Sequence, residues 1–194
     1  MVLKVNGQPV DVTLEDEKTV GDVLKSFEDA ISQNEATTVG IVLDGVTVSP
    51  DAFDEILGKE LEDKTSLELT VLSKGEIISA LKDISAKMSA LSLDEIPVLL
   101  QAGKDKEAAA LIDSLATECD AFFHTATMSS LFPDVYGKLE IDGTDFLGFF
   151  KDFLQILSDF KDAMEGNDTV TVGDLAEYEI GPRLKAVTQA ITTL

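Results

Sequence analysis

His124 and Cys119, the single histidine and the single cysteine of the 194-residue chain, are its residues best suited to nucleophilic or zinc chemistry. Asp120 precedes His124 by one helical turn, a spacing that would place a carboxylate beside the imidazole ring. The remaining ligands of a zinc or di-iron site are missing from the sequence, which has no Glu-x-x-His or His-Glu-x-x-His motif. We therefore interpret His124 as a side chain at the edge of a helical bundle, and Cys119 as a small core residue.

Residues 163–174 can be aligned with an EF-hand calcium loop, but the alignment fails at two positions. Asp174 would stand at position 12 of such a loop. Position 1 would be Ala163, which has no side-chain oxygen, and position 6 would be Asp168, where the sharp turn needs glycine. We interpret this stretch as a loop between two helices, and we predict neither a metal nor a cofactor.

Residues 174–184, DLAEYEIGPRL, bring together Tyr178, Glu179, Pro182 and the sole arginine, Arg183. A kinked helix that presents a guanidinium group to a carboxylate could form a contact site for a partner. The alternative, which we favour, is an internal pair between arginine and glutamate that fixes the last helix.

Catalytic motifs are absent from the sequence, which has no glycine-rich phosphate loop, Gly-x-Ser-x-Gly elbow or kinase signature. With 37 acidic residues, no pair of carboxylates stands out for acid–base work. We expect a protein that is not an enzyme. The alternative is an enzyme or small-ligand binder that uses carboxylates and Tyr136 or Tyr178, with its site between the two halves or in residues 132–143.

The formal net charge is −22, shared as −10 over residues 1–74 and −12 over residues 75–194. A field of this sign repels nucleic acids and anionic membrane surfaces, so we exclude both as partners. A basic partner protein remains open, and so does a role of the charge in solubility alone. The N-terminal MVLKVNGQPV has no signal-peptide pattern, and no apolar run reaches membrane-spanning length, so we place the protein in the cytoplasm.

Residues 1–73 alternate between strand and helix patterns in a definite order. Alternating apolar residues flank Asn6-Gly7, which predicts a hairpin that continues to Leu14. Thr19 and Asp22 form a capping box before a helix of about three turns, and two short strands flank Asp44-Gly45. A short helical turn after Ser49-Pro50 and a closing strand around Leu69 complete this half.

This order of elements, supported by MVLKVNG at the start and TSLELTVLS at the end, resembles the β-grasp fold of ubiquitin-like domains. Ubiquitin-like modifiers and sulfur carriers act through a free C-terminal Gly-Gly, but here the chain continues after Gly75. The resemblance therefore implies a protein-interaction or scaffolding module rather than conjugation.

Residues 74–194 show helical spacing throughout and predict a bundle of four or five helices. Capping boxes at Ser73–Glu76 and at Ser92–Glu95 predict two helix starts. The first of these helices should end near Ser92, and a long helix should run from about Asp105 to Leu131. Residues 133–143 could form a loop or a short strand pair, and Pro182 should kink the final helix.

Five phenylalanines fall at helical spacing within residues 144–164, and their apolar arc is wider than one neighbouring helix can cover. Either two helices flank this one, or a second copy of the chain covers part of it as a homodimer. We predict an α+β protein with a β-grasp domain at 1–73 and a helical bundle at 74–194. We expect it to act as an adaptor, chaperone-like partner or assembly factor, and its candidate interaction surface comprises Phe146, Phe149, Phe150, Phe153, Phe160, Tyr178 and Arg183.

Overall fold

Strands β1 (Val2–Val5) and β2 (Gln8–Val10) open the chain as an antiparallel hairpin. Asn6 and Gly7 join them with φ angles of 49° and 77°, the left-handed values that a two-residue hairpin turn requires. The computed structural model describes residues 1–137 and 139–194, which divide into two compact units, residues 1–76 and 77–194. The hairpin belongs to the first unit, as its sequence predicts.

The first unit is built on a mixed sheet of five strands in the order β2-β1-β5-β3-β4. Strands β3 (Ala36–Leu43), β4 (Val46–Thr47) and β5 (Ser66–Ser73) complete it, with β5 parallel to β1 and antiparallel to β3. Strand β4 is short and pairs only with the last two residues of β3, Val42 and Leu43. The first half of β3 is therefore an edge of the sheet.

Helix α1 (Val20–Ser32) packs on one face of this sheet. The predicted capping box is present, since the Asp22 N–H donates to the Thr19 hydroxyl and the Thr19 N–H donates to the Asp22 carboxylate. A 3₁₀ turn (Pro50–Ala52) and helix α2 (Phe53–Leu57) follow the second hairpin. This mixed sheet with its helix is compatible with a β-grasp. The core of the unit comprises Leu3, Val20, Val23, Leu24, Leu43, Leu67 and Leu69.

The opening hairpin is shorter than its sequence predicts. The register pairs Val10 with Leu3, so β1 has almost no residues left to pair beyond that point. Val12 and Leu14 consequently lie outside the strand and are partly exposed, at 42% and 37%. Their alternation does not extend the strand, because the pairing between β1 and β2 ends at Val10.

Helix α3 (Lys74–Ser89) begins directly after β5, at the predicted Ser73–Glu76 capping box. It ends three residues earlier than predicted. The second predicted box, Ser92–Glu95, does not form, because the Glu95 N–H donates to the Ser92 carbonyl instead of the Ser92 hydroxyl. The residue before helix α4 (Glu95–Gln101) is Asp94, whose backbone is already helical, whereas a capping box needs an extended residue there.

The second unit continues with helix α5 (Asp105–Met128), a 3₁₀ turn (Ser129–Leu131) and helix α6 (Pro133–Tyr136). Strands β6 (Glu140–Ile141) and β7 (Thr144–Asp145) form a small hairpin. A strand pair is therefore present, but its second strand lies after residue 143 and the predicted region begins with α6, a helix that the sequence pattern does not predict. Helix α7 (Phe146–Glu165) is the phenylalanine-rich helix.

The last segment consists of α8 (Thr169–Asp174), a π-helical turn (Leu175–Ile180) and α9 (Gly181–Ile191). The sequence predicts a kink at Pro182, and the structure places a widened turn just before it. Pro182 lies in the first turn of α9, where a residue without an N–H is tolerated. The architecture is α+β, and within the described residues no helix is both long and apolar enough to cross a bilayer.

Candidate functional site

A groove of about 720 Å³ lies on the first unit, between helix α1, the first half of β3 and helix α2. Four apolar side chains line it, and Phe53 on α2 is 39% exposed at its rim. Helix α1 supplies most of the polar lining from its outward face. The lining comprises apolar Leu24, Ile41, Phe53 and Leu57, and polar or charged Thr19, Asp22, Lys25, Glu28, Asp29, Thr37 and Thr38, with Gly21.

The outer edge of β3 borders this groove. Thr38 lies opposite Val71 of β5, but Val71 directs its N–H and carbonyl to the Asn6 side chain on the other side of β5. Backbone groups of a strand alternate in direction, so the N–H of Thr38 points away from β5 and into the groove. A register shift between Thr38 and Gly40 adds one residue to β3, so the Ile41 carbonyl points to the same edge as the Thr38 N–H. There it accepts a hydrogen bond of 2.9 Å from the Val48 N–H.

The Glu28 carboxylate occupies the position that a neighbouring strand would take beside Thr38. One carboxylate oxygen accepts hydrogen bonds from the Thr38 N–H at 3.1 Å and from the Thr38 hydroxyl at 2.8 Å. The other accepts a bond of 2.7 Å from the Thr37 hydroxyl. A charged side chain laid along an open strand edge is one way in which proteins prevent unwanted strand pairing.

Acidic groups dominate the electrostatics of the groove. Its lining contains the three carboxylates of Asp22, Glu28 and Asp29 but a single cation, Lys25. The pKa of Asp22 is lowered from its ordinary value because its carboxylate accepts a hydrogen bond from the Lys18 N–H, and also from the hydroxyl and N–H of Thr19. The groove therefore carries net negative charge at neutral pH, in a unit that is itself strongly acidic.

The side chains of the groove supply apolar surface, carboxylates and hydroxyl groups. Among residues 1–137 and 139–194, no three His, Cys, Asp or Glu side chains are arranged to hold a metal ion. In the same part of the chain, every buried side-chain nitrogen or oxygen has a hydrogen-bond partner, so none is left directed at a ligand. The groove offers apolar walls, carboxylates and an accessible strand edge, which are the elements of a peptide-binding site.

The five phenylalanines of the predicted interaction surface are core residues, which corrects that prediction. Phe146, Phe149, Phe150, Phe153 and Phe160 are each exposed by 8% or less. Rings on α5 and α7 face each other, with the Phe123 and Phe150 centroids 4.0 Å apart and those of Phe122 and Phe150 6.0 Å apart. The wide apolar arc is thus covered mainly by the protein's own helices, and Leu147 and Leu154 are the large apolar side chains of α7 left exposed.

The other two residues of the predicted surface lie in and beside the π-helical turn. Arg183 forms the internal pair, with its Nη1 2.6 Å from Oε2 of Glu179 and 3.0 Å from the Glu179 carbonyl. This guanidinium is therefore engaged within its own helix. Tyr178 is 64% exposed, and a hydrogen bond to Glu177 raises the pKa of its phenol. Tyr178 remains accessible at the surface of the second unit.

The other residues that the sequence offers for catalysis or metal binding are Cys119, His124, Asp168 and Tyr136. Cys119 is buried in α5, and burial raises the pKa of its thiol to about 12, with Asp120 and Glu118 adding to the effect. His124 is exposed on the same helix. Asp168, which stands at position 6 when residues 163–174 are aligned with a calcium loop, caps α8. Its carboxylate accepts hydrogen bonds from the N–H and hydroxyl of Thr171. The ring of Tyr136 packs edge-on against Phe146, with centroids 5.7 Å apart.

The groove residues Glu28, Thr37, Thr38 and Phe53 are absent from the sequence-based candidates. One signal could have identified them, because the strand around Ile41 is followed by a much shorter returning strand. A long strand beside a short one leaves part of its edge uncovered. The sequence does not show what lies beside that edge.

Comparison with known proteins divides the chain at nearly the same point as the structure does. Residues 1–73 match a family described as the TP0873 N-terminal domain, and residues 76–190 match a domain of unknown function, DUF8042. Neither description names a ubiquitin-like family. An "Uncharacterized protein" of Treponema pallidum (strain Nichols) is 29% identical over 193 residues, which cover 98% of this chain and 96% of the relative. No solved structure matches the chain. Because the second match covers more than half of the sequence, the chain belongs to the family of the domain of unknown function DUF8042.

Proposed function

We propose that this chain is a non-enzymatic protein-interaction module, serving as an adaptor, chaperone-like partner or assembly factor, and that the groove of its first unit binds an extended segment of a partner protein. The observation that carries the proposal is the uncovered edge of β3 beside an apolar groove. Strand β4 pairs only with Val42 and Leu43, so the part of β3 from Ala36 to Gly40 has no neighbouring strand on that side among the described residues.

The groove provides the two sources of affinity that such a segment needs. Phe53, Ile41 and Leu57 present apolar surface, and burial of that surface contributes about 25 cal/mol for each Å² removed from water. The backbone of β3 provides hydrogen bonds that fix the register of a bound chain. The apolar contacts and the main-chain hydrogen bonds therefore both contribute to affinity, and the groove selects which side chains fit.

The opposite face of the sheet is a weaker candidate for partner binding. Lys4 and Glu68 alternate with the core residues Leu3 and Leu67 and therefore lie on the face away from α1. Their charged groups are 4.0 Å apart, and both side chains are partly exposed. A polar, solvated face of this kind contributes little to a stable complex. This contrast favours the groove.

The proposal is tested by purifying the protein with its bound partners from a lysate of its source cell and identifying them by mass spectrometry. The full chain is compared with a Phe53→Glu variant, which places a charge on the apolar rim of the groove. Val46→Glu is the matched control, because Val46 is 69% exposed in the same unit and does not line the groove.

A partner that binds the wild-type and Val46→Glu chains but not the Phe53→Glu chain is the expected result. A partner retained equally by all three chains would show that the groove is not the binding site. Recovery of no partner, together with turnover of a small molecule by the purified chain, would show that the protein is an enzyme.

A further inference from the structure

We infer that the partner segment adds to the free edge of β3 as an extra strand and carries a lysine or arginine that pairs with Glu28. This inference rests on the proposed function and specifies the chemistry of the partner. The occupant is an extended basic segment of another protein. A helix of a partner, or a neutral or acidic segment, is an alternative occupant whose selection would overturn the inference.

The backbone at the edge is directed correctly for strand addition. Residues opposite each other in β3 and β5 alternate between pairs that bond to each other and pairs that point apart. Thr38 and Val71 point apart, and so do Ala36 and Ser73, two residues further along. The N–H and carbonyl groups of Ala36 and the N–H of Thr38 therefore point to the open edge, where an added strand can bond to them before the register shifts after Thr38.

Glu28 takes the place of the missing strand. Its carboxylate receives the hydrogen bond from the Thr38 N–H that the carbonyl of an added strand would otherwise receive. Only the side chain of Glu28 reaches from α1 to the strand edge. Rotation of that side chain therefore frees the Thr38 N–H without moving the backbone of α1 or of β3. The carboxylate thus blocks an open strand edge that would otherwise pair with unrelated strands.

The bound segment needs a basic residue because its entry displaces the Glu28 carboxylate. When a segment enters, Glu28 loses its bonds to Thr37 and Thr38, and a charged group without partners is costly to keep near an apolar groove. A lysine or arginine on the segment replaces those bonds with a charge-assisted one. Asp29 and Asp22 reinforce the same preference, and Lys25 is the only cation in the lining.

The geometry also gives the pattern of the segment. Every second side chain of an added strand faces the groove. Positions near Ile41 and Phe53 should be apolar, and a groove-facing position near Glu28, two or four residues away, should be lysine or arginine. In such a segment the apolar and basic residues are separated by an even number of positions, so that their side chains lie on the same face of the added strand.

A library of random 12-residue peptides displayed on phage is the probe for this inference. Peptides selected on the full chain are counter-selected on the Phe53→Glu chain, so that only groove binders remain. Synthetic copies are then titrated by fluorescence anisotropy against the wild-type chain, Glu28→Gln and Asp63→Asn. Asp63 is an exposed carboxylate of the same unit that does not line the groove, and its substitution controls for the loss of one charge.

Selected peptides are expected to show the apolar and basic pattern and to bind Glu28→Gln about tenfold more weakly, since one charge-assisted hydrogen bond is worth roughly that factor. Asp63→Asn should change the affinity less than about twofold. Methylation of the peptide's backbone nitrogens should weaken binding about tenfold at alternate residues only. That scan uses the wild-type chain and stays decisive if Glu28→Gln fails to fold.

Two different failures can be told apart. Groove-dependent peptides that tolerate methylation at every position, or that bind Glu28→Gln as tightly as wild type, would overturn strand addition or the role of Glu28, while the proposed function would stand. If no selected peptide depends on Phe53, both the inference and the proposed groove are wrong.

Discussion

Gly21 of α1 lies so close to Leu57 of α2 that a Cβ atom at position 21 would stand 2.7 Å from the Leu57 carbonyl oxygen. Backbone hydrogen bonds hold the two segments in this position. The Val20 N–H donates to the Lys59 carbonyl, and the Leu61 N–H donates to the Lys18 carbonyl, both at 2.9 Å. The start of α1 is thus attached to the chain after α2, and it cannot move away to admit a larger side chain.

Gly21→Ala is therefore expected to destabilise the first unit by about 1–3 kcal/mol, because the methyl group must displace a backbone atom. The loss occurs although alanine favours helix more than glycine does. Gly58→Ala is the matched control, since a Cβ there meets nothing within 4 Å, and it should be neutral or stabilising by up to about 1 kcal/mol. Urea unfolding followed by circular dichroism compares them, and equal effects would contradict the close contact.

Phe153 and Leu154 are neighbours on α7 that test the assignment of the phenylalanines to the core. Phe153 is 2% exposed and Leu154 is 53% exposed. Phe153→Ala should destabilise the second unit by about 3–5 kcal/mol, the usual cost of removing a buried aromatic ring. Leu154→Ala should change stability by less than about 0.5 kcal/mol.

Tyrosine fluorescence is a suitable measurement for this pair, because both tyrosines, Tyr136 and Tyr178, belong to the second unit and the chain has no tryptophan. It follows the unfolding of that unit without a signal from the first. A small effect of Phe153→Ala would mean that α7 uses its phenylalanines at a surface after all.

Features that depend on a few consecutive residues are the ones that the sequence predicts well. Asn6-Gly7 forms a hairpin turn, and the capping boxes at Thr19–Asp22 and Ser73–Glu76 begin helices. In each case the residues that define the pattern also make the hydrogen bonds. The α+β architecture follows from the order of these local signals.

Features that depend on a neighbouring element are not predicted. The Ser92–Glu95 box has the right residues, but Asp94 adopts a helical backbone and the box does not form. Burial of the phenylalanines depends on how α5 packs against α7, which periodicity alone does not give. The groove requires Glu28 on a helix to meet Thr38 on a strand, a contact that no short motif describes.

The buried thiol of Cys119 should resist alkylation in the folded protein. With its pKa raised from 9.0 to about 12, the thiolate fraction at pH 8 falls on the order of a thousandfold, and only the thiolate reacts with iodoacetamide. Mass spectrometry should find slow labelling in buffer and complete labelling in concentrated urea, with Cys119→Ser as the unlabelled control. Because the folded pKa is the higher one, the thiol favours folding below pH 9, and this contribution is lost as pH rises towards 12.

The capping box of α1 should give the first unit a specific dependence on acid. The pKa of Asp22 is lowered from 3.8, first by the Lys18 N–H, so the folded state prefers the ionised carboxylate. The stabilisation is fully present above pH 3.8 and is lost as pH falls through the lower, folded-state pKa. Asp22→Asn should therefore be less stable than wild type at pH 7, and the difference should shrink as the pH falls towards about 2.

Free energies of unfolding measured in urea across this range test the prediction, with Asp63→Asn as the control for charge. That variant also removes one negative charge from the acidic first unit, but Asp63 is exposed and takes no part in the Thr19–Asp22 capping box. Relief of charge repulsion should make it equal to or slightly more stable than wild type at pH 7. If both variants shift stability in the same direction at every pH, net charge rather than the helix cap controls the acid response. If only Asp22→Asn loses stability at neutral pH, the hydrogen bonds from Lys18 and Thr19 are the cause.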